Sequence, residues 1–171
     1  MDYQNYIRTI EDWPQPGVSF KDITPLLADA VAFRTTVDAM CAPFQGAGIT
    51  KVLGAEARGF FFATAIAYDL GAGFVPARKP GKLPYKTISE SYVLEYGENR
   101  LDIHADALTP QDRVLIVDDV LATGGTAAAK TRLAGRCGAT LVGYSFFIEL
   151  SFLKGRSQID PDLPCSVLVT L

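Results

Sequence analysis

The sequence predicts an α/β fold with an open, mainly parallel sheet flanked by helices. Two observations support this prediction. Short apolar segments alternate with helical segments through the middle of the chain, as expected when each strand is followed by a helix that crosses back over the sheet. In addition, the continuous β-branched and aliphatic run Val114–Val117 is typical of a strand that is buried on both faces of a parallel sheet.

The first quarter of the chain predicts shorter elements. Tyr3–Ile10 is predicted as a short helix, and Trp13–Gly17 as a rigid loop, because its two prolines fix φ and remove backbone donors. Val18–Phe20 is predicted as a short strand. Asp29 is a candidate N-cap for a helix over Ala30–Pro43, and the candidates for the buried side of this helix are Val31, Phe33, Val37 and Met40.

Strands and helices then alternate. The predicted strands are Lys51–Ala55, Phe74–Arg78, Val114–Val117 and Thr140–Ile148. The predicted helices are Gly59–Leu70, with Gly71 as its C-cap, and Thr126–Cys137, which ends at Gly138. We therefore expect a single domain over residues 1–171.

A polar segment interrupts this alternation. After a loop at Pro80–Tyr85, Thr87–Tyr96 and Arg100–His104 are predicted as antiparallel strands joined at Gly97-Glu98-Asn99. A hairpin inserted into an α/β core can cover a site at the sheet edge, so we interpret it as a mobile lid. A passive surface hairpin is the alternative.

Composition excludes several classes of protein. With 16 basic and 19 acidic residues, the net charge of −3 does not favour binding to duplex nucleic acid. No segment approaches the ~18 uncharged apolar residues of a membrane span, and the N-terminus lacks a signal-peptide pattern. The single histidine and three scattered cysteines provide no metal cluster. We therefore expect a cytoplasmic protein with reduced cysteines that binds neither nucleic acid nor membranes.

The most informative segment is Val114–Thr126, where a strand leads into two carboxylates, a loop of small residues and a helix. In open parallel sheets, ligands bind beyond the carboxyl ends of the strands. Small residues allow backbone N–H groups to converge on an anion, and the helix N-terminus adds partial positive charge. The P-loop pattern does not fit, because Ala129 stands where it requires glycine. The predicted phosphate-binding residues are Ala122, Thr123, Gly124, Gly125 and Thr126.

The two carboxylates, Asp118 and Asp119, would repel a phosphate group. Their expected partners are hydroxyl donors beside the phosphate, which suits the 2- and 3-hydroxyls of a ribose 5-phosphate. Direct ligation of magnesium by these oxygens is the alternative.

Residues 114–126 resemble the phosphoribosyl pyrophosphate motif of type I phosphoribosyltransferases. Other segments, in order from about residue 6 to 156, are similar to the adenine-specific members of that family: Trp13–Pro25, Gly54–Phe60, Arg78–Pro84, Ser91–Gly97 and Glu149–Arg156. The resemblance implies the type I phosphoribosyltransferase fold. It also implies a small hood over about residues 1–28 and 150–171, and a lid over about residues 80–104.

The resemblance also implies roles for individual residues. It places pyrophosphate at a loop formed by Glu56, Ala57 and Arg58, with a cis peptide between the first two. The basic cluster Arg78, Lys79 and Lys82, which alone would equally fit a solvated loop, is placed near the pyrophosphate, either within one subunit or across a dimer interface. Glu95 is implied to handle the purine proton, and Tyr96 to cover the site. The implied base-binding residues are Ser19, Phe20, Lys21, Val120 and Leu150.

The activity implied by the resemblance is a purine salvage step. The 5-phosphoribosyl group passes from phosphoribosyl pyrophosphate to adenine, giving AMP and pyrophosphate. Mg²⁺ is expected to bind mainly through the substrate, with no direct protein ligand, and the chain is expected to form a homodimer. A phosphoribosyltransferase for hypoxanthine, xanthine or orotate is one alternative, and a non-catalytic regulator that senses phosphoribosyl pyrophosphate is another. The enzyme is favoured over the regulator because Glu95 and the basic loop are present and the chain leaves no room for a DNA-binding domain.

Overall fold

The computed structural model describes residues 1–93 and 98–171. In chain order the strands and α-helices are β1 (Arg8–Ile10), β2 (Phe20–Asp22), α1 (Thr24–Ala28), α2 (Ala30–Cys41), β3 (Lys51–Ala55), α3 (Gly59–Asp69), β4 (Gly73–Ala77), β5 (Thr87–Val93), β6 (Glu98–His104), β7 (Arg113–Leu121), α4 (Gly125–Arg136), β8 (Thr140–Glu149) and β9 (Cys165–Thr170). Short 3-10 turns lie at Tyr3–Tyr6, Ala42–Phe44, Ser151–Leu153 and Gly155–Gln158.

Five parallel strands form the central sheet in the order β4-β3-β7-β8-β9, which confirms the predicted fold class. Residues 165–170, which the sequence grouped with the hood, form its edge strand β9. The chain extends the sheet from β3 outward to β4 and then returns to place β7 on the other side of β3. This reversal creates a crevice at the carboxyl ends of β3 and β7, where ligands bind in open α/β sheets.

Strand β7 is buried on both faces, as its apolar run predicts. Leu115 and Val117 belong to the core cluster that contains α2 and α3, whereas Val114 and Ile116 belong to the cluster that contains α4 and β6. The strand also extends beyond the predicted Val114–Val117, because its pairing with β8 continues to its last residue. The two carboxylates therefore lie within a strand that is packed on both sides.

The N-terminal prediction is wrong in its details. Tyr3–Ile10 is not one helix. Asp2 caps a single 3-10 turn, and Arg8–Ile10 then pairs with β2. The strand predicted at Val18–Phe20 begins at Phe20, because its pairing with β1 starts there. Partners that are distant in sequence, and not local periodicity, determine these two short strands.

The predicted cap of α2 is confirmed. Asp29 Oδ1 accepts hydrogen bonds from the backbone N–H groups of Val31 at 3.0 Å and Ala32 at 2.8 Å. Val31 itself is 69% exposed and not buried. It lies off the buried stripe, which follows the helical period through Ala32, Thr36, Val37, Met40 and Cys41.

The hairpin is antiparallel as predicted, with Thr87 opposite His104 and Val93 opposite Glu98. Glu98 and Asn99, expected in the turn, belong to β6. At the base of the hairpin, the backbones of Arg78 and Asp102 exchange hydrogen bonds of 2.8 and 2.9 Å. The side chains of Leu101 and Ile103 enter the core. The base of the hairpin is therefore fixed to the sheet.

Among residues 1–93 and 98–171, the helices are all too short or too polar to cross a bilayer.

Candidate active site

A cavity of about 380 Å³ opens at the crevice between the carboxyl ends of β3 and β7, and most of the predicted site residues line it. All five predicted base-binding residues, which lie on or next to β2, on β7 and directly after β8, are among them. The predicted residues that line the cavity are Ser19, Phe20, Lys21, Glu56, Ala57, Arg58, Lys79, Asp118, Asp119, Val120, Thr126 and Leu150.

A second, smaller cavity of about 100 Å³ adjoins the first and is lined by the phosphate loop. Ala122, Thr123 and Gly124 line only the smaller cavity, whereas Asp118, Val120 and Thr126 line both. The smaller cavity lies at the N-terminus of α4, where backbone N–H groups lack intrahelical partners and the helix dipole is positive. The carboxylate that lines this smaller cavity is that of Asp118, on β7.

Gly124 allows the phosphate loop to form. Its φ of +85° lies in the left-handed region that favours glycine. A Cβ at this position would overlap the carbonyl oxygen of Gly155 and approach Gln158 Cβ within 2.7 Å. The loop therefore packs directly on the backbone of the 3-10 turn Gly155–Gln158.

Some predicted residues are not brought to these cavities. Gly125, Arg78 and Lys82 line neither of them. Glu95 and Tyr96 lie outside the described residues, so their predicted roles remain predictions. The lining residues that sequence reasoning missed are Val18, Ala55, Gly59, Tyr92 and Leu101 in the larger cavity, and Leu121, Ala127 and Phe146 in the smaller one. Two of these, Tyr92 and Leu101, are on the hairpin strands, where period-2 alternation could have marked them as facing the sheet.

Asp118 is paired with Lys130, a residue that sequence reasoning did not assign to the site. Lys130 Nζ donates to Asp118 Oδ2 at 2.7 Å and to the carbonyl oxygen of Val117 at 2.9 Å. The other carboxylate oxygen, Asp118 Oδ1, accepts the Asp119 N–H at 3.1 Å. Both oxygens of this carboxylate are therefore held in place.

Asp119 is paired with Arg58, whose Nε–H donates to Asp119 Oδ2. Burial raises the pKa of Asp119 to about 7, and the neighbouring charge of Asp118 adds to this effect, while Arg58 opposes it. Two adjacent, buried carboxylates thus have one cation each.

The guanidinium of Arg58 has two further features. It lies over the Phe20 ring, with Cζ 4.7 Å from the ring centroid, and Trp13 packs edge-on against the same ring at 4.4 Å between centroids. Its Nη2 is buried without a hydrogen-bond partner within residues 1–93 and 98–171. A buried donor that has no partner is costly, so this atom is suited to an acceptor on a ligand.

Glu56 organises the basic loop. Its peptide bond to Ala57 is cis, as the resemblance implied. Its carboxylate accepts Arg78 Nε–H at 2.6 Å and the Lys79 N–H at 2.9 Å. Burial opposes ionisation of Glu56, but these two donors outweigh it and hold the pKa of Glu56 below its ordinary value. The charge of Glu56 is therefore compensated within the protein.

Lys21 is also engaged within the protein. Its Nζ donates to Thr9 Oγ1 at 3.2 Å and to Ser19 Oγ at 3.1 Å, both near the two-stranded ribbon β1–β2. These two contacts fix the lysine side chain against its own ribbon.

The site as a whole combines an anion-binding loop, two carboxylates and a cavity with apolar and basic lining. Such an arrangement can bind a phosphorylated sugar next to a flat ring.

Comparisons with known proteins agree with this geometry. A family model for the phosphoribosyl transferase domain matches residues 44–169. The adenine phosphoribosyltransferase of Anaeromyxobacter dehalogenans is 58% identical over 153 residues, which is 90% of this chain and 89% of that protein.

Two solved structures of adenine phosphoribosyltransferases are also similar. The Rhodothermus marinus structure is 50% identical, with a TM-score of 0.94 over 98% of this chain and 96% of that one. The Saccharomyces cerevisiae structure, which was solved with an imino-altritol bisphosphate and adenine, is 36% identical. Its TM-score is 0.91 over 98% of this chain and 96% of that one.

Proposed function

The chain belongs to the adenine phosphoribosyltransferase family, and from this premise we propose which group of the substrates each residue of the site binds. The reaction transfers the 5-phosphoribosyl group from phosphoribosyl pyrophosphate to adenine and releases AMP and pyrophosphate. The observation that carries the division of roles is the contact between the two cavities, which share Asp118 and Thr126. One cavity suits a phosphate, and the other suits a ribose, a pyrophosphate and a base.

The 5-phosphate binds at the loop Ala122–Thr126, where backbone N–H groups and the N-terminus of α4 face the smaller cavity. Asp118 and Asp119 accept hydrogen bonds from the ribose 2- and 3-hydroxyls. Each carboxylate oxygen accepts more than one hydrogen bond, so the contacts to Lys130 and Arg58 leave acceptor sites for the sugar.

Pyrophosphate is held by Arg58 and Lys79, with backbone N–H groups of the Glu56–Arg58 loop. The unpartnered Nη2 of Arg58 supports its role as a donor to the leaving group. Arg78 and Lys82 do not line this cavity, but Glu56, which lines it, accepts a hydrogen bond from Arg78, so both cations add positive charge near the pyrophosphate, within one subunit or across a homodimer interface.

Adenine lies between Val120 and Leu150, against the segment Ser19–Lys21. Backbone N–H and C=O groups of this segment match the donor and acceptor pattern of the adenine edge. Lys21 does not need to reach the base, because Thr9 and Ser19 already engage its ammonium group.

The hairpin closes the site, with Glu95 as the group that handles the purine proton and Tyr96 as a cover. Support comes from Tyr92 and Leu101 on the two hairpin strands, which line the cavity.

The chemistry is substitution at the anomeric carbon of the ribose. Positive charge develops on the sugar as pyrophosphate departs and the purine nitrogen approaches. The residues align the two substrates, neutralise the leaving group and exclude water, so no protein nucleophile is required.

Magnesium is the proposed cofactor, bound mainly through substrate oxygens. Within residues 1–93 and 98–171, no three side chains of the metal-binding types come together. The three carboxylates that line the cavity, Asp118, Asp119 and Glu56, are engaged by Lys130, Arg58 and Arg78 respectively, so the donor set fits an ion carried in by pyrophosphate. When bound, such an ion would offset the charge of the leaving group.

One experiment tests the assignment directly. The purified protein is incubated with phosphoribosyl pyrophosphate, Mg²⁺ and one base at a time, and pyrophosphate release is measured. We expect release with adenine and only background release with hypoxanthine, xanthine or orotate. Release with another base would reassign the substrate, and background release with every base would favour a non-catalytic sensor.

A further inference from the structure

Lys130 is a buried cation that the reaction scheme does not use. Its side chain is 0% exposed, and its Nζ contacts Asp118 Oδ2 and the Val117 carbonyl oxygen. A buried ammonium loses its hydration, and an apolar residue of similar size at such a position is often neutral or stabilising. Stability alone therefore does not account for a lysine here.

The position of Lys130 connects two parts of the site. It is the sixth residue of α4, the helix whose N-terminus follows the phosphate loop, and it contacts the strand that carries the ribose carboxylates. On the opposite side, a Cβ at Gly59 would overlap Asp118 Oδ1. The carboxylate of Asp118 is thus confined between the first residue of α3 and the ammonium of Lys130.

We propose that Lys130 is a positioning residue, which orients the Asp118 carboxylate towards the ribose hydroxyls and fixes its distance from the phosphate loop. The inference rests on the proposed placement of the ribose 5-phosphate against Asp118 and the loop. Lys130 does not touch the substrate in this arrangement and acts through Asp118.

The two carboxylates then have counter-charges of different kinds. Arg58 lines the cavity and is partly exposed, so it can exchange Asp119 for a pyrophosphate oxygen. Lys130 is enclosed and has no path to the substrate, so its pairing with Asp118 persists through the reaction. The carboxylate of Asp118 therefore stays oriented throughout, and that of Asp119 gains a further acceptor site when Arg58 turns to the leaving group.

The test compares Lys130→Met, which keeps most of the length of the unbranched side chain but removes its charge, with Thr131→Val as a matched control. Thr131 is on the same helix, and its hydroxyl contacts Tyr144 and the Ala127 carbonyl oxygen, away from Asp118. For Lys130→Met we expect the KM for phosphoribosyl pyrophosphate to rise roughly 10- to 100-fold, the range for a lost interaction with a charged group. The KM for adenine should change less than about twofold. In Thr131→Val, both KM values should stay near wild type even where thermal stability falls.

Lys130→Gln keeps one donor group without the charge, and it is the variant to use if Lys130→Met does not fold. For Lys130→Gln we expect a smaller rise in the KM for phosphoribosyl pyrophosphate. An unchanged KM for phosphoribosyl pyrophosphate, or an equal rise for both substrates, overturns the inference.

A double-mutant cycle with Asp118→Asn separates this inference from its premise. If Lys130 acts through Asp118, Lys130→Met should have little further effect on that KM in the Asp118→Asn background. Additive effects overturn the inference alone. A wild-type KM in the Asp118→Asn single variant overturns the placement of the ribose, and the inference with it.

Discussion

Arg58 and Asp119, which lie 61 positions apart in the sequence, are joined by an ion pair inside the cavity. The same guanidinium covers the ring of Phe20, which lines the cavity beside Ser19 and Lys21. Arg58, which is proposed to bind pyrophosphate, therefore contacts the proposed ribose-binding carboxylate of Asp119 and the ring of Phe20, a proposed base-binding residue. Binding of phosphoribosyl pyrophosphate can exchange this pairing for contacts to the substrate.

Arg58→Ala tests this exchange. We expect the affinity for pyrophosphate to fall roughly 10- to 100-fold, because a charge-assisted donor is lost, whereas the affinity for AMP should fall much less. Isothermal titration with each ligand provides the measurement. Arg58→Lys, which keeps the charge but loses the planar fork, should be intermediate. Equal losses for pyrophosphate and AMP would make Arg58 a structural residue.

The raised pKa of Asp119, at about 7, predicts a dependence of stability on pH. An unfolded aspartate has a pKa near 3.8, so between about pH 4 and 7 the unfolded chain has released a proton that the folded site retains. The contribution of Asp119 to the free energy of unfolding is therefore largest below about pH 4. It falls by roughly 1.4 kcal/mol per pH unit as the pH rises to about 7.

Urea unfolding at pH 5 and pH 7 measures this effect, with Asp119→Asn as the comparison. The wild type should lose more stability than the variant over this interval. Parallel pH profiles for the two proteins would contradict the raised pKa.

The hairpin is anchored to α4 through Glu90. Its carboxylate accepts hydrogen bonds from Arg132 at 2.8 Å and Arg136 at 3.1 Å, and the two arginines also donate to backbone carbonyl oxygens of β5. These arginines are about half exposed, so Glu90→Gln should cost less than about 1 kcal/mol of global stability. We nevertheless expect faster amide hydrogen exchange in β5 and a lower kcat.

Hydrogen exchange over Thr87–Val93 provides the measurement for this variant. Asp69→Asn, which alters a side-chain hydrogen bond to Gln45 at the end of α3, is the control and should leave exchange in β5 unchanged. Wild-type exchange in Glu90→Gln would show that the hairpin is held without the Glu90 carboxylate.

Four of the five strands of the central sheet and the helices that connect them were predictable because their signals are local, whereas the edge strand β9 was not predicted. The apolar run at Val114–Val117, the small residues after it and the cap at Asp29 each depend on a few neighbouring residues. In the ribbon β1–β2, the first strand was missed and the second was predicted two residues too early, because three-residue strands are too short to show a period and depend on each other for pairing.

The side-chain pairs of the site were less accessible from the sequence. The contact between Arg58 and Asp119 follows from the placement of β7 beside β3. Lys130, in contrast, carried a signal. It follows Ala127 by three positions and precedes Ala134 by four, and both alanines are buried, so the helical period places the lysine on the inner face of α4.

Gly124→Ala tests the phosphate loop. The left-handed conformation should cost about 1–2 kcal/mol for alanine, and the Cβ would also overlap the Gly155 backbone. We expect lower thermal stability and weaker binding of AMP. Gly135→Ala on α4 is the control, because its Cβ meets no atom within 4 Å, and it should be neutral or stabilising. Normal AMP binding by Gly124→Ala would separate this loop from the phosphate.

Glu95 is the proposed proton-handling group, and its test depends on kinetics because residues 94–97 lie outside the described structure. If Glu95 handles the proton of the attacking purine, Glu95→Gln should lower kcat by the ~10²–10⁴ that is typical of general acid–base catalysis. Both KM values should change little, because the amide keeps the size of the side chain and one acceptor. If the hairpin only excludes water, Glu95→Gln should have a nearly normal kcat, while Tyr96→Ala should lower kcat.

The pH profile of kcat gives a second measurement for Glu95. A limb of this profile that belongs to Glu95 must disappear in Glu95→Gln and persist in Tyr96→Ala. A profile that is unchanged in both variants would remove Glu95 from the proton transfer and leave the hairpin with a closing role alone.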